Sequence, residues 1–293
     1  MIKNKKISVV LLISLLFGVA SCTSKMAYNN LDWIAAWYVD DYVTLTDTQE
    51  KEFDSAIKSF VSWHRKSELQ NYILQIKYIK VDVKNGIKHS NVNNYTDSLR
   101  QFLDVALTKF EPEITKFAYS LSDKQVDQFL AEVEQRNIER IKKAANEGKQ
   151  ERLENKLERI ESRVESFIGD LNTSQKQLLK ETNQALLPTF DHWIEFRRNW
   201  ANAIRNAYTL RSEVIAIEGL DSEHAKTVFR EALKPTILET NSLRSEAHLA
   251  VLEHNQAIWA TTIEKLVTSL SKRQLAALND KLNETIEDLE ALI

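Results

Sequence analysis

The chain has 293 residues, 43% of them apolar and 28% charged, and 39 basic against 42 acidic side chains leave a formal net charge of −3. That apolar share can bury a core, which excludes a disordered chain, and the balanced charge excludes a dedicated nucleic-acid binder, which carries a strong basic excess. One cysteine excludes a disulfide framework, and five glycines and three prolines exclude turn-rich sandwiches, barrels and Gly-loop nucleotide folds, which leaves an all-helical protein.

Residues 1–21 read as a signal peptide. Lys3, Lys5 and Lys6 make a basic start, and Ile7 to Leu16 is an apolar run broken only by Ser8 and Ser14. The run is long enough for a signal core and too short for ~30 Å of hydrocarbon. Val19-Ala20-Ser21-Cys22 follows. Small residues before this lone cysteine resemble the bacterial lipobox, although Val19 stands where Leu is commoner. The resemblance implies that Cys22 is lipidated and becomes the mature N-terminus, with residues 22–27 as a short tether. Thr23 is not the aspartate that retains such proteins in the inner membrane, so the resemblance implies a lipid anchor in the outer membrane, facing the periplasm. More than one acyl chain is needed for stable anchoring, and a net acidic body has no general pull toward anionic head groups.

Residues 28–293 read as one helical periplasmic domain. Caps and apolar periodicity predict helices over 28–42, 47–85, 93–110, 113–120, 123–147, 149–169, 173–187, 189–218, 222–234, 236–269 and 272–291. The segment 47–85, with Phe53, Ile57 and Phe60 and then Leu69, Ile73 and Ile76 in stripe, predicts one helix about 57 Å long at ~1.5 Å per residue. Gly86, Gly148, Gly169 and Gly219 stand where apolar patterns stop, the place of a left-handed C-terminal cap. Pro112, Pro188 and Pro235 suit first turns or kinks. Nothing alternates with period two as a half-buried strand does. The expected architecture is an elongated bundle or an array of long antiparallel hairpins, either continuous or divided into two sub-bundles near 148–170.

A punctuation motif recurs at Leu45-Thr46-Asp47-Thr48-Gln49, Leu121-Ser122-Asp123-Lys124-Gln125, Leu171-Asn172-Thr173-Ser174-Gln175 and Leu270-Ser271-Lys272-Arg273-Gln274, with a weaker copy at Leu220-Asp221-Ser222. A small polar N-cap with Gln three residues on is a capping box, stapled by the preceding Leu. The near-regular spacing suggests repeated helical hairpins. The motif also resembles the Leu-Thr-x-x-Gln repeats of the Spy/CpxP-like periplasmic proteins, which are helical chaperones and stress sensors.

Chemistry-bearing residues are few. His64 and Glu68, four apart in Trp63-His64-Arg65-Lys66-Ser67-Glu68, share a helix face, so Glu68 could orient His64 as a base; a plain i,i+4 hydrogen bond is the alternative. No histidine has Glu three residues before it, as a di-iron bundle requires, and the sequence implies no metal and no cofactor. Arg136 to Arg163 alternates signs as a solvated face does. Two aromatic clusters stand out. In the first, Leu31, Ile34, Tyr38 and Tyr42 form a stripe with Trp33 and Trp37 beside it. Core packing is the expected role there, with a membrane-interface belt as the alternative, because Asp32, Asp40 and Asp41 oppose an acidic surface. In the second, Trp193, Phe196 and Trp200 have the spacing of buried packing, and Arg197 or Arg198 is placed to stack on a ring at a binding cleft.

Cys22, Tyr28-Asn29-Asn30-Leu31-Asp32-Trp33, Leu45-Thr46-x-x-Gln49, Trp63-His64-Arg65-x-x-Glu68-Leu69 and Leu187-Pro188 together resemble an uncharacterised family of gammaproteobacterial all-helical lipoproteins. Gln70 departs from the proline expected after Leu69. The resemblance implies fold and location and carries no mechanism. The expected function is a non-catalytic binding, scaffold or chaperone-like protein with a periplasmic protein partner and no nucleic acid. Weak binding candidates are Trp63, Arg65, Trp193, Arg197 and Trp200. The alternatives are an envelope hydrolase or transferase using His64 and Glu68, and small-molecule or lipid binding between helices near Trp193 and Trp200.

Overall fold

The computed structural model describes residues 26 and 28–293; the signal peptide, Cys22 and most of the tether lie outside the described residues. Eleven α-helices, and no strand, occur among the described residues. They are α1 (Leu31–Asp40), α2 (Asp47–Ser67), α3 (Leu69–Asn85), α4 (His89–Ser120), α5 (Asp123–Asn146), α6 (Lys149–Ile168), α7 (Thr173–Ala185), α8 (Phe190–Glu218), α9 (Glu223–Ile237), α10 (Glu246–Thr268) and α11 (Lys272–Glu290), with a 3-10 turn at Thr240–Leu243.

Three boundaries differ from the sequence expectation, each for a physical reason. The predicted single helix 47–85 breaks at Glu68, which keeps right-handed dihedrals (φ −109°, ψ −36°) and so leaves no gap in the periodicity. The break redirects Leu69, Ile73 and Ile76 onto Leu282, Ile286 and Leu289 of α11. The predicted helices 93–110 and 113–120 are one helix, α4, which runs through Pro112. Pro112 and Thr108 are both exposed, so water can take the carbonyl that a proline leaves unserved. The predicted helix 236–269 starts late, at Glu246. Trp200 Nε1 donates to the Thr236 carbonyl at 3.0 Å, and Asn199 donates to the Leu243 carbonyl at 3.1 Å. Side chains of α8 thus serve backbone groups between α9 and α10, and Ser245 then caps α10.

The core forms two lobes that share α4. In one, Val126 and Leu130 of α5 pack with Ile204, Ala207 and Tyr208 of α8 and Phe229 and Leu233 of α9. In the other, α3 and α11 pair, and Ile160, Leu171 and Leu179 extend the contact toward α6, α7 and α10. Each fully buried Leu, Ile or Phe stabilises its lobe by ~1.5–3 kcal/mol. Residues 123–146 of α5 and 190–237 pack in the first lobe, while α6 and α7 between them pack in the second. The lobes interleave in sequence. Gly169 (φ 76°) and Gly219 (φ 87°) end helices in the left-handed region as expected, whereas Gly148 (φ −63°, ψ 149°) instead occupies the N-cap position of α6.

Candidate functional site

The most distinctive pieces of the sequence meet at the start of the described chain. His64 Nδ1 lies 2.7 Å from the Tyr28 hydroxyl and Nε2 lies 2.9 Å from the Tyr72 hydroxyl. Neutral imidazole has one donor and one acceptor nitrogen, so one phenol accepts from the ring and the other donates to it. Burial pushes the His64 pKa down, which favours this neutral form, and pushes both phenols up. The expected hydrogen bond from Glu68 to His64 is replaced by these phenols; Glu68, 6% exposed, sits at the helix break. Arg65 donates to Asn29 Oδ1 at 2.6 Å and lies 5.2 Å over the Tyr28 ring. Trp63 packs on Phe60, with Lys109 over its face. A general base needs a nitrogen free to meet substrate, and here both ring nitrogens are spent. The cluster works as a clip that fastens Tyr28 and Asn29 to the α2–α3 junction.

The clip aims α1 along the first lobe. Asp32 pairs with Lys58 of α2 at 3.4 Å, and Asp41 pairs with Arg136 of α5 at 3.2 Å. Arg136 also lies 4.3 Å over the Tyr42 ring. Docked this way, α1 turns Trp33 and Trp37 outward, 68% and 59% exposed. The expectation of core packing for these two tryptophans is therefore corrected: the inward positions of α1 are taken by its smaller residues and by Tyr42 and Val43 beyond its end.

Beneath α1 lies a cavity of about 310 Å³. Its walls are Tyr38, Val39, Tyr42 and Val43, then Ile114 and Phe117 of α4, Phe129 and Val133 of α5, Arg197, Trp200, Ile204 and Tyr208 of α8, and Leu233 of α9. Polar tips in the wall are satisfied internally: Trp200 donates to the Thr236 carbonyl and Tyr208 to the Ala118 carbonyl at 2.6 Å. Arg197 is the one charged residue lining the cavity among the described residues. Its Nε donates to Asn137 Oδ1 at 2.6 Å, and burial pushes its pKa down. Asn137 is wholly buried and donates onward to Glu134, which is held by Arg198 at 2.8 Å. The guanidinium groups of Arg197 and Arg140 lie 4.9 and 5.1 Å from the centroid of the Trp193 ring. Of the sequence candidates, the structure thus gathers Trp193, Arg197 and Trp200 at one site and Trp63, His64, Arg65 and Glu68 at another. Arg198, the alternative stacking cation, is engaged by Glu134.

The recurring motif proves to work in pairs. Gln49 and Gln125 each accept from their own cap backbone, at 3.0 and 2.9 Å. They also exchange amide hydrogen bonds, at 3.2 and 2.7 Å. Each donates to the carbonyl two residues before the other's cap, Ser120 and Thr44. Gln175 and Gln274 repeat the pattern at 3.1 and 2.8 Å, with Ser269 and Asp170 as the carbonyls. The copy at Leu220 stands apart: Ser222 caps Ala225 one residue late, with no Gln to reciprocate.

Sequence reading missed one cluster. His248 is 2% exposed and stacks on His192 at 5.5 Å, with Arg244 beside it and Phe196 at its edge. Its only local signal was its place three residues after the Ser245 cap. Among the described residues, no group of three His, Cys, Asp or Glu could hold a metal ion, and no helix is long and apolar enough to cross a membrane.

In comparison with known proteins, a model described as a family of unknown function matches residues 41–218. No curated protein and no solved structure matches the chain.

Proposed function

The chain belongs to the DUF6279 family, a family of unknown function that brings no inherited activity, and we propose that it is a non-catalytic, lipid-anchored binding protein seated on the periplasmic side of the outer membrane. In this reading Cys22 carries the lipid and the aromatic face of α1 lies in the interface. The observation that carries it is the outward pair Trp33 and Trp37, with Met26 70% exposed just before them. Trp favours head-group depth. Met26 is four positions on from Cys22, a span of at most ~14 Å, so lipid and tryptophans can reach one surface. Two of the three acidic groups that opposed this in the sequence, Asp32 and Asp41, are neutralised by Lys58 and Arg136. The remaining helical surface, charged and polar along the α5–α6 hairpin, is where a periplasmic protein partner would dock.

The test is labelling with radioactive palmitate followed by vesicle flotation. Wild type should take up label and Cys22→Ala should not. In the Cys22→Ala background, Trp33→Ser with Trp37→Ser should reduce flotation several-fold. Label on Cys22→Ala, or flotation indifferent to both tryptophans, sinks the reading. The hydrolase or transferase alternative places chemistry on His64, whose nitrogens are occupied by two phenols. Full restoration of a deletion phenotype by His64→Ala would dispose of it.

A further inference from the structure

We propose that the cavity beneath α1 holds the hydrocarbon chain of a fatty acid, with Arg197 as the partner of its carboxylate. The inference goes beyond the anchor reading; its observations of lining and charge stand without that reading, and only its observation of position rests on it.

Three observations carry it. The first is size and lining. An apolar cavity of ~150 Å³ stays dry and binds benzene, and ligand pockets begin at ~300 Å³. At about 310 Å³, walled by Phe117, Phe129, Ile204 and Leu233, this one suits a flexible chain better than a rigid polar solute. The polar tips of Trp200 and Tyr208 bond the Thr236 and Ala118 carbonyls, and the Tyr38 and Tyr42 hydroxyls bond each other at 3.1 Å. An empty cavity forfeits dispersion contacts on every wall, and a hydrocarbon chain restores them.

The second observation is charge. Arg197 lines the cavity and makes no salt bridge among the described residues; its Nε donates to Asn137 and Tyr42 is a second, neutral hydrogen-bond partner. Glu134, two bonds further along the network, is already engaged by Arg198. The Arg197 guanidinium at the cavity wall has no carboxylate at ion-pair distance among the described residues, and Glu134 acts on it only through space from further along the network. A planar carboxylate matches the guanidinium fork. A longer polar or polyanionic ligand would leave the apolar end unfilled.

The third observation is position. The near wall is the half-exposed Tyr38 and Val39 at the end of α1 and Tyr42 just beyond it, next to the outward Trp33 and Trp37. A single-chain amphiphile that partitions into a lipid surface would meet the cavity across one helix.

The full-length protein in phosphatidylcholine nanodiscs is exposed to a diazirine-bearing palmitic acid, irradiated, and mapped by peptide mass spectrometry. Crosslinks should fall on peptides carrying Phe117, Phe129 and Ile204. Arg197→Gln should lower capture of the acid about tenfold or more, while leaving capture of the corresponding diazirine alcohol unchanged. Ile114→Trp, in the half-buried wall, should abolish capture of both; if that variant loses its helical circular dichroism, Val39→Trp fills the cavity from the opposite side. Absence of crosslinks, crosslinks confined to the Trp33–Trp37 surface, or capture indifferent to Arg197 and to cavity filling would each overturn the proposal. Failure of palmitate labelling at Cys22 leaves this outcome independent, so the two readings fail separately.

Discussion

His64 and His248 show how far one residue type depends on its neighbours. Both are pushed toward the neutral form by burial, but His64 is satisfied by phenols, whereas His248 faces Arg244 and His192, with only Glu195 to oppose them. His248 is held down to about 4, against 6.5 for the free side chain. The folded state therefore refuses a proton that the unfolded chain accepts. Above about 6.5 both states are neutral and the contribution is fully present; as pH falls from 6.5 toward 4 it is lost. At ~1.4 kcal/mol per pKa unit the loss is on the order of 2–3 kcal/mol. Urea midpoints at neutral pH and near pH 4.5 should show a larger drop for wild type than for His248→Gln. Equal drops would mean that the histidine is not the group responsible.

At the scale of the element, the glutamine of each capping box does more than close its own helix. A solitary cap contributes ~1 kcal/mol. Here each pair ties two helix N-termini by reciprocal amides and two carbonyl contacts, and Gln175, 1% exposed, has no water to fall back on. Gln175→Ala is expected to cost ~1–3 kcal/mol, because the Ser269 carbonyl and the Gln274 amide lose a partner. A double-mutant cycle with Gln274→Ala, followed by chemical denaturation, should return a coupling of ~0.5–2 kcal/mol. Additive effects would mean two independent caps. The capping boxes themselves are legible in the sequence, since a cap needs only residues three apart. Their pairing is not, because Gln49 finds Gln125 and Gln175 finds Gln274 across long stretches of chain, while the evenly spaced copy at Leu220 pairs with none. The regular spacing suggested a row of equivalent hairpins; the structure has two cap pairs of unequal separation.

For the whole molecule, the clip at His64 decides how the N-terminal segment sits. Tyr28, Asn29 and Asp32 fasten α1 to α2, and Asp41 and Tyr42 fasten its far end to α5. No residue of α1 is buried, so its docking rests on these few contacts. Tyr28→Phe combined with Arg65→Ala removes two hydrogen bonds, each worth ~0.5–1.5 kcal/mol. Hydrogen exchange should then quicken across 31–40 and stay unchanged in α8 and α9, whose Phe229 and Ala207 are wholly buried. Uniform quickening would show that α1 belongs to the cooperative core instead.

The all-helical class, most helix starts and the left-handed ends at Gly86, Gly169 and Gly219 were determined by the sequence alone, because each follows from residues within one or two turns of each other. The residues of both candidate sites were also visible in it: Trp63, His64 and Arg65 as a motif, and Trp193, Arg197 and Trp200 as a cluster. Their roles were not. Which side of α1 faces outward, whether His64 meets a carboxylate or two phenols, and whether Arg197 lines a cavity depend on partners tens of residues away in the chain. Periodicity shows that a stripe exists. Only the packing of α1 against α2, and of Asp41 and Tyr42 beyond it against Arg136 of α5, decides that Trp33 and Trp37 stay out while Tyr42 and Val43 close over an apolar space.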